Sequence, residues 1–281
     1  MIRSTADPSA WPTESDPGRP PPFPFRLLRT GYHSCFYNMA LDEALLESVS
    51  RGRSLPVLRF YGWEPRAVSV GYFQVLEAEV NLEACKSRGI DVIRRITGGG
   101  AVFHQAELTY SIIMPDSHPL AGDSIRESYR SLCAGIIRGL ALLGLEAQFA
   151  PINDILCGGR KISGNAQTRR SGTILQHGTI LLDLDVDLMF ELLRIPEEKN
   201  RGRLIRDVKE RVTSLRTLGL SSGFDEALRC FAEGFRQALS LEFPEEARSP
   251  VYPGGPGADE EVRALELAAG KFASPEWLYK R

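Results

Sequence analysis

The sequence predicts an α+β fold in which helices cover a largely antiparallel sheet. Three features lead there. Strands and helices are interleaved, yet crossover helices are too few for a doubly wound parallel sheet. The run Leu108–Met114 sets Leu108, Tyr110, Ile112 and Met114 against Thr109, Ser111 and Ile113, the period-two alternation of a strand. Two longer stretches, opened by Ser124 and Phe224, carry apolar residues at helical spacing. The chain has 281 residues, 34 Lys+Arg against 36 Asp+Glu, a formal charge of −2 and 43% hydrophobic residues, the make-up of an ordinary globular protein. At roughly 100–200 residues per domain, this length holds one large domain or two small ones. The balanced charge argues against general nucleic-acid binding. No apolar run approaches the ~20 residues that span a bilayer, and Met1–Phe25 lacks the apolar stretch of a secretory signal. The five cysteines (Cys35, Cys85, Cys133, Cys157 and Cys230) are odd in number and scattered, with no CxxC pair. That suits reduced thiols in a cytoplasm and argues against a zinc site.

Residues 1–25 contain seven prolines and read as an extended leader outside the fold, although the PPPFP run also fits a polyproline ligand. The folded domain is expected over 26–249, with a linker and a C-terminal helix over 250–281. From Tyr37 to Ser50, Leu41, Ala44, Leu45 and Val49 share one helical face, with Asn38 expected as the N-cap and Gly52 as the stop. Strands are expected at 57–61 and 67–73. A short helix over 79–87 stops at Gly89, and a strand over 91–95 runs into Gly98-Gly99-Gly100. Ser124 and Glu127 form a capping box, and the helix they open turns Ile125, Leu132, Ile136, Leu140 and Leu143 inward. Ile152–Leu156 and Lys161–Gly164 read as a hairpin or two short strands, and 172–185 as two strands broken near His177-Gly178. Helices are expected over 187–193 and 224–239, the second with Ala227, Leu228, Phe231 and Phe235 inward. A Pro/Gly linker at 250–257 precedes a last helix near 260–272.

Three segments point to chemistry. In Arg94-Arg95-Ile96-Thr97-Gly98-Gly99-Gly100-Ala101-Val102-Phe103-His104, the glycine triplet is entropically costly and needs a reason. A loop of successive amide N–H groups suits phosphate oxygens, and the adjacent arginines can add charge-assisted hydrogen bonds. A plain hairpin turn accounts for the triplet equally well. The segment is neither a Walker A motif nor a GxGxxG turn opening a helix. In the second segment, Asn153-Asp154 through Lys161-Ile162-Ser163-Gly164-Asn165, Lys161 lies among glycines and small residues. From there it can reach a carboxylate or phosphate as a point charge, or sit solvated on a hairpin. Third, His177 interrupts an apolar strand pair, as a site residue or as a satisfied half-buried histidine. Val70, Tyr72, Phe73 and Val102 could line an acyl tunnel or serve as core.

RRITGGGAVFH, then NDI…GGRKISGNA, then ILQHGTILLDLD, in this order, resemble the biotin/lipoate protein ligase superfamily. More narrowly they resemble its lipoate branch, the lipoate-protein ligase A family and the related octanoyltransferases. FYNMALDEAL, FYGWEP…SVGYFQ and the terminal KFASPEWLYKR extend the likeness from about Phe25 to the C-terminus. The resemblance implies a class II synthetase-like catalytic domain, with a mixed, mainly antiparallel sheet between helices. It implies activation of lipoate or octanoate with ATP and Mg2+ to an acyl-AMP, then transfer to a lysine of a lipoyl domain of the 2-oxoacid dehydrogenase E2 or glycine cleavage H protein type. Arg94, Gly99, Gly100, Ala101 and Val102 match the adenylate-binding segment. Lys161 matches the lysine that contacts the acyl carboxylate and α-phosphate, and is the expected catalytic residue. Asn153, Asp154 and His177 join the expected binding set. No resident metal, nucleic acid or membrane is expected.

The octanoyltransferase branch is the rival, with a thioester donor and an enzyme nucleophile. One subgroup carries its cysteine shortly before the segment equivalent to Asn153-Asp154, but here Leu145–Ile152 contains none. This favours the ligase expectation and leaves Cys157 as the nearby alternative nucleophile, which would need a lowered pKa. Larger ligases carry a further C-terminal domain, so the resemblance implies either a separate accessory chain in its place or a chain that performs only transfer from a preformed donor.

Overall fold

A computed structural model describes residues 22–194, 207–244 and 254–280. The main sheet is built from β2 (Arg26–His33), β3 (Val57–Trp63), β7 (Glu107–Pro115), β8 (Ala147–Ala150), β9 (Asp154–Cys157), β10 (Arg160–Arg170) and β11 (Thr173–Leu181). Its order is β2-β3-β7-β11-β10-β9-β8. Only β2 and β3 run parallel; the other neighbours are antiparallel. A three-stranded sheet, β5-β4-β6, combines β4 (Ala67–Val70), β5 (Asp91–Arg94) and β6 (Val102–His104).

Alternation in β7 divides two cores. Leu108, Tyr110, Ile112 and Met114 join a cluster with Leu132, Ile136, Phe231 and Phe235, from the helices Ile125–Leu142 and Phe224–Leu239. Ile113 faces the other way, toward Leu41 and Leu45 of the helix Cys35–Ser50 and Leu267 and Phe272 near the C-terminus. The main sheet is therefore sandwiched between helical layers. Among the described residues no helix is long and apolar enough to cross a membrane.

The sequence reading needs five local corrections. Phe23–Pro24 forms β1 beside β12 (Leu241–Glu242), and Phe25 is core, so the fold begins ahead of Arg26. The rest of the expected leader, and 250–253 of the expected linker, lie outside the described residues. Ser34, not Asn38, caps the first long helix, its hydroxyl accepting from Tyr37 N at 3.3 Å. Asn38 is instead buried, donating to the Gly62 carbonyl and accepting from Arg59. Ile125 is exposed, because it begins its helix beyond the packed face. The strand expected over 67–73 stops at Val70, where the chain turns at Gly71; a Cβ there would lie 2.1 Å from the Gly99 carbonyl oxygen. Finally, β11 runs unbroken through His177-Gly178. Gly178 is needed there because a Cβ would meet Asn165 Oδ1 at 2.0 Å.

The Ile125–Leu142 and Phe224–Leu239 helices approach backbone to backbone. A Cβ at Gly234 would stand 2.4 Å from Gly139 N and 2.7 Å from the Gly135 carbonyl oxygen. Backbone cannot swing aside as a side chain can, so overpacking here costs about 1–3 kcal/mol. Gly234→Ala is expected to lower the melting temperature by several degrees; an unchanged melting curve would show that the helices do not meet this closely.

Candidate functional site

The main and three-stranded sheets enclose a cavity of about 480 Å³. It is lined by Tyr61 and Trp63 of β3, Ser69 of β4, Val102–His104 of β6, and residues of β10 and β11. Of the expected site residues, Gly99, Gly100, Ala101, Val102, Asn153, Lys161 and His177 line it. Arg94 and Asp154 do not. The Arg94 guanidinium donates to the carbonyls of Gly71, Tyr72, Gln74 and Leu278. It thereby ties the 71–74 loop to the C-terminal segment. Arg95, its neighbour, faces the cavity instead.

Arg95 holds the glycine loop from behind. Its Nη2 donates to the carbonyls of Gly98 at 2.7 Å and Gly100 at 2.8 Å. Nε donates to Thr97 Oγ1 at 3.1 Å, and Nη1 to Ser69 Oγ at 3.1 Å and the Ser69 carbonyl at 3.3 Å. These contacts engage all five guanidinium N–H groups. Both arginines beside the triplet thus give their donors to protein oxygens, Arg95 alone to the triplet itself, whereas the sequence predicts that they reach an anion.

Two matching relays converge on this guanidinium. In one, Thr97 donates to His177 Nε2 at 2.8 Å, and His177 Nδ1 faces Asp42 at 3.2 Å. Asp42 also accepts from Arg59, Ser111 and Tyr61. In the other, Ser69 meets His104 Nε2 at 2.8 Å, and His104 Nδ1 meets Glu107 at 2.8 Å. The His104 ring stacks on Trp63 at 3.8 Å, and Trp63 Nε1 donates to Thr109, which donates to Glu107. The Nδ1–H of each histidine points to a carboxylate, leaving Nε2 as acceptor for the hydroxyl. Sequence reasoning missed Ser69, Trp63, His104 and Glu107. The available signal was the His104…Glu107 spacing on facing strand ends, together with inward positions by strand alternation.

Burial would raise the Asp42 carboxyl, but Arg59 and His177 outweigh it and hold it below the usual carboxylate value. Burial lowers His177 below an ordinary histidine despite Asp42, and lowers Arg95 to about 10.

Lys161, from β10, stands in a 2.8 Å ion pair with Asp154, the two side chains 41% and 32% exposed. A half-exposed pair of this kind contributes about 0–1 kcal/mol, so an incoming anion can take the ammonium group from Asp154. Gly164 makes room for it: a Cβ there would stand 3.0 Å from Lys161 Nζ. Asn153 is locked beside it by reciprocal amide bonds with Asn165, which also accepts from Tyr110. None of the five cysteines lines the cavity. Cys157 is buried, and burial raises its thiol pKa against the opposing effect of Arg160. Among the described residues no group of three or more His, Cys, Asp and Glu side chains is gathered as a metal site.

The model of the lipoyl protein ligase A/B catalytic domain matches residues 34–236. The chain belongs to that family. Octanoyltransferase LipM of Geobacillus kaustophilus is 40% identical to it, over 92% of this chain and 98% of that protein. Octanoyltransferase LipM of Bacillus subtilis is 39% identical over the same shares. Among solved structures, a bi-partite lipoate protein ligase studied with its E2 lipoyl domain from Thermoplasma acidophilum matches with TM-score 0.81 and 32% identity. It covers 92% of this chain and 96% of that one. Lipoate-protein ligase A bound with ATP matches with TM-score 0.76 and 30% identity, over 92% and 98%. The fold is thus the class II synthetase-like one of the lipoate ligases, and the protein is an enzyme of the ligase/transferase family. Within it, the sequence relatives carry the octanoyltransferase name, which the sequence reading had set second.

The relays make stability depend on pH. His177 has a lowered folded-state pKa, so the unfolded chain binds the proton more readily. Its stabilising contribution is complete above about pH 6.5 and is lost as pH falls below it. His33 and His118 are shifted the same way, so a comparison variant isolates the effect. The melting temperature of the wild type is expected to fall more steeply than that of His177→Gln below pH 6.5. Parallel curves would show that His177 is not held neutral.

Proposed function

We propose that the enzyme transfers an octanoyl group from an activated donor to the ε-amine of a lysine on a lipoyl domain. What carries the reading is the cavity. Trp63, Tyr61, Met39 and Val102 offer apolar surface for a medium-length acyl chain, and Lys161 offers a releasable cation for the donor's polar end. The octanoyltransferase relatives at 39–40% identity support octanoyl as the group moved. In the transfer, the acceptor amine attacks the acyl carbonyl, an amide C–N bond forms, the bond to the leaving group breaks, and the amine gives up a proton. Lys161 offsets negative charge developing on the donor, a term worth about 10²–10³ in rate for one such donor group. With every cysteine away from the cavity, the acyl group passes directly from donor to acceptor, without a thioester on the enzyme.

A second reading shares this acceptor step and differs in the donor: an acyl-adenylate made on the enzyme from lipoate or octanoate and ATP. The cysteine-free cavity favours it, as does the likeness to lipoate-protein ligase A bound with ATP. The glycine loop and Lys161 would hold the nucleotide, and Mg2+ would arrive with the triphosphate.

One assay decides between them. An E2 lipoyl domain is incubated with octanoyl-carrier protein without ATP, or with octanoate or lipoate plus ATP and Mg2+, each with and without a candidate accessory chain. The mass of the lipoyl domain is then read. Modification without ATP is expected; modification only with ATP overturns the first reading for the second, and none in any arm overturns both. In the productive arm, Lys161→Ala is expected to cut turnover by about 10²–10³, and near-normal turnover would remove Lys161 from the chemistry.

A further inference from the structure

Two motifs far apart in the chain, SVGYFQ and EWLYKR, give the cavity only Ser69, yet the fold brings their remaining residues together beside the glycine loop. Phe73 is 86% exposed and lies against Gly98, at the start of the glycine loop. The adjacent Tyr72 ring is flanked by two cations, the Arg170 guanidinium at 5.0 Å and Lys280 Nζ at 4.6 Å from its centroid. Lys280 also donates to the Tyr72 hydroxyl at 2.6 Å. That contact, aided by Arg170, lowers the phenol's pKa, the mark of a positive local field. Trp277 anchors the C-terminal segment here, its indole donating to the Arg94 carbonyl at 2.8 Å. Val75 and Tyr279 add exposed apolar surface.

Arg26, Arg88, Arg216, Arg263 and Lys271 each pair with a carboxylate, whereas among the described residues neither Arg170 nor Lys280 does. An exposed aromatic beside a tyrosine flanked by two cations is the usual make-up of a binding hot spot for an anionic protein surface. Its place is decisive. Phe73 stands beside Gly98, next to the cavity-lining Gly99 and Gly100, and whatever the donor, the surface around the acceptor lysine must meet the protein close to that cavity.

Resting on the acyl-transfer reading, we propose that Phe73, Tyr72, Arg170 and Lys280 form the docking surface for the acceptor: a lipoyl domain whose modified lysine is flanked by acidic side chains. Phe73 packs on the domain and the two cations meet its carboxylates.

The test measures binding apart from catalysis. A fluorescently labelled E2 lipoyl domain, and a copy with the Asp and Glu residues around its lysine changed to Asn and Gln, are titrated with the full chain. Phe73→Ser, at so exposed a position, leaves the fold intact; Arg170→Glu/Lys280→Glu tests the charge. Each variant is expected to raise the Kd by about tenfold or more. The neutralised domain is expected to bind the wild type weakly and to lose sensitivity to salt. Turnover with hydroxylamine replacing the acceptor domain is expected to stay at the wild-type level. Unchanged Kd values, absent binding by the wild type, or weakening only toward octanoyl-carrier protein would each overturn the proposal. Binding that follows the pattern without any acyl transfer would leave the surface standing and count against the acyl-transfer reading alone.

Discussion

The Arg95 guanidinium is a full positive charge in a nearly dry place, and the site depends on how that charge is held. Burying an ion costs several kcal/mol unless hydrogen bonds and opposite charge offset it. Here two hydroxyls, two imidazoles and two carboxylates carry the compensation outward, through Thr97-His177-Asp42 and Ser69-His104-Glu107. Arg59, itself fully buried against Asp42, balances the second carboxylate charge. The histidines act as oriented dipoles whose tautomer is fixed from the carboxylate end. One removed member leaves its neighbours buried without partners, which is why such networks rigidify when complete. What that rigidity secures is the shape of the glycine loop, gripped at the carbonyls of Gly98 and Gly100.

Several glycines follow from this constraint. Gly71 lets the 71–74 loop lie against the Gly99 carbonyl, and Gly99 itself has φ of 95°, where a side chain would be strained. Gly178 admits the Asn165 amide that fixes Asn153, and Gly164 admits Lys161. Loop and lysine thus line one cavity, with backbone brought close at each. A rigidly held loop and a loosely held ammonium group on one cavity suit a reaction in which charge builds on a departing group.

Much of this was legible in the chain. The helix Phe224–Leu239 falls at the expected bounds, because its apolar residues keep one face and the other is charged. The β7 alternation and the Ser124 cap likewise depend on neighbours in sequence. The misreadings share a different cause. Asn38 looks like a helix cap until Arg59, distant in sequence, claims its side chain. His177-Gly178 looks like a strand break until Asn165 explains the glycine. Arg94 and Arg95 cannot be told apart in a string; which one faces the cavity is set by the register at the end of β5, where Arg95 N bonds the Val70 carbonyl. Cap, break and charge each depended on a contact across the fold.

Arg95 is the shared node of two relays, and a double-mutant cycle measures that sharing directly. Acyl transfer is compared in wild type, Ser69→Ala, Thr97→Val and the double variant, with melting temperatures recorded alongside. Each single change is expected to lower kcat/KM while the fold persists, and the losses to deviate from additivity by about 0.5–3 kcal/mol, as for residues in one network. Full activity in both single variants, or losses that simply multiply, would mean that the guanidinium does not join the two relays and that the loop is held some other way.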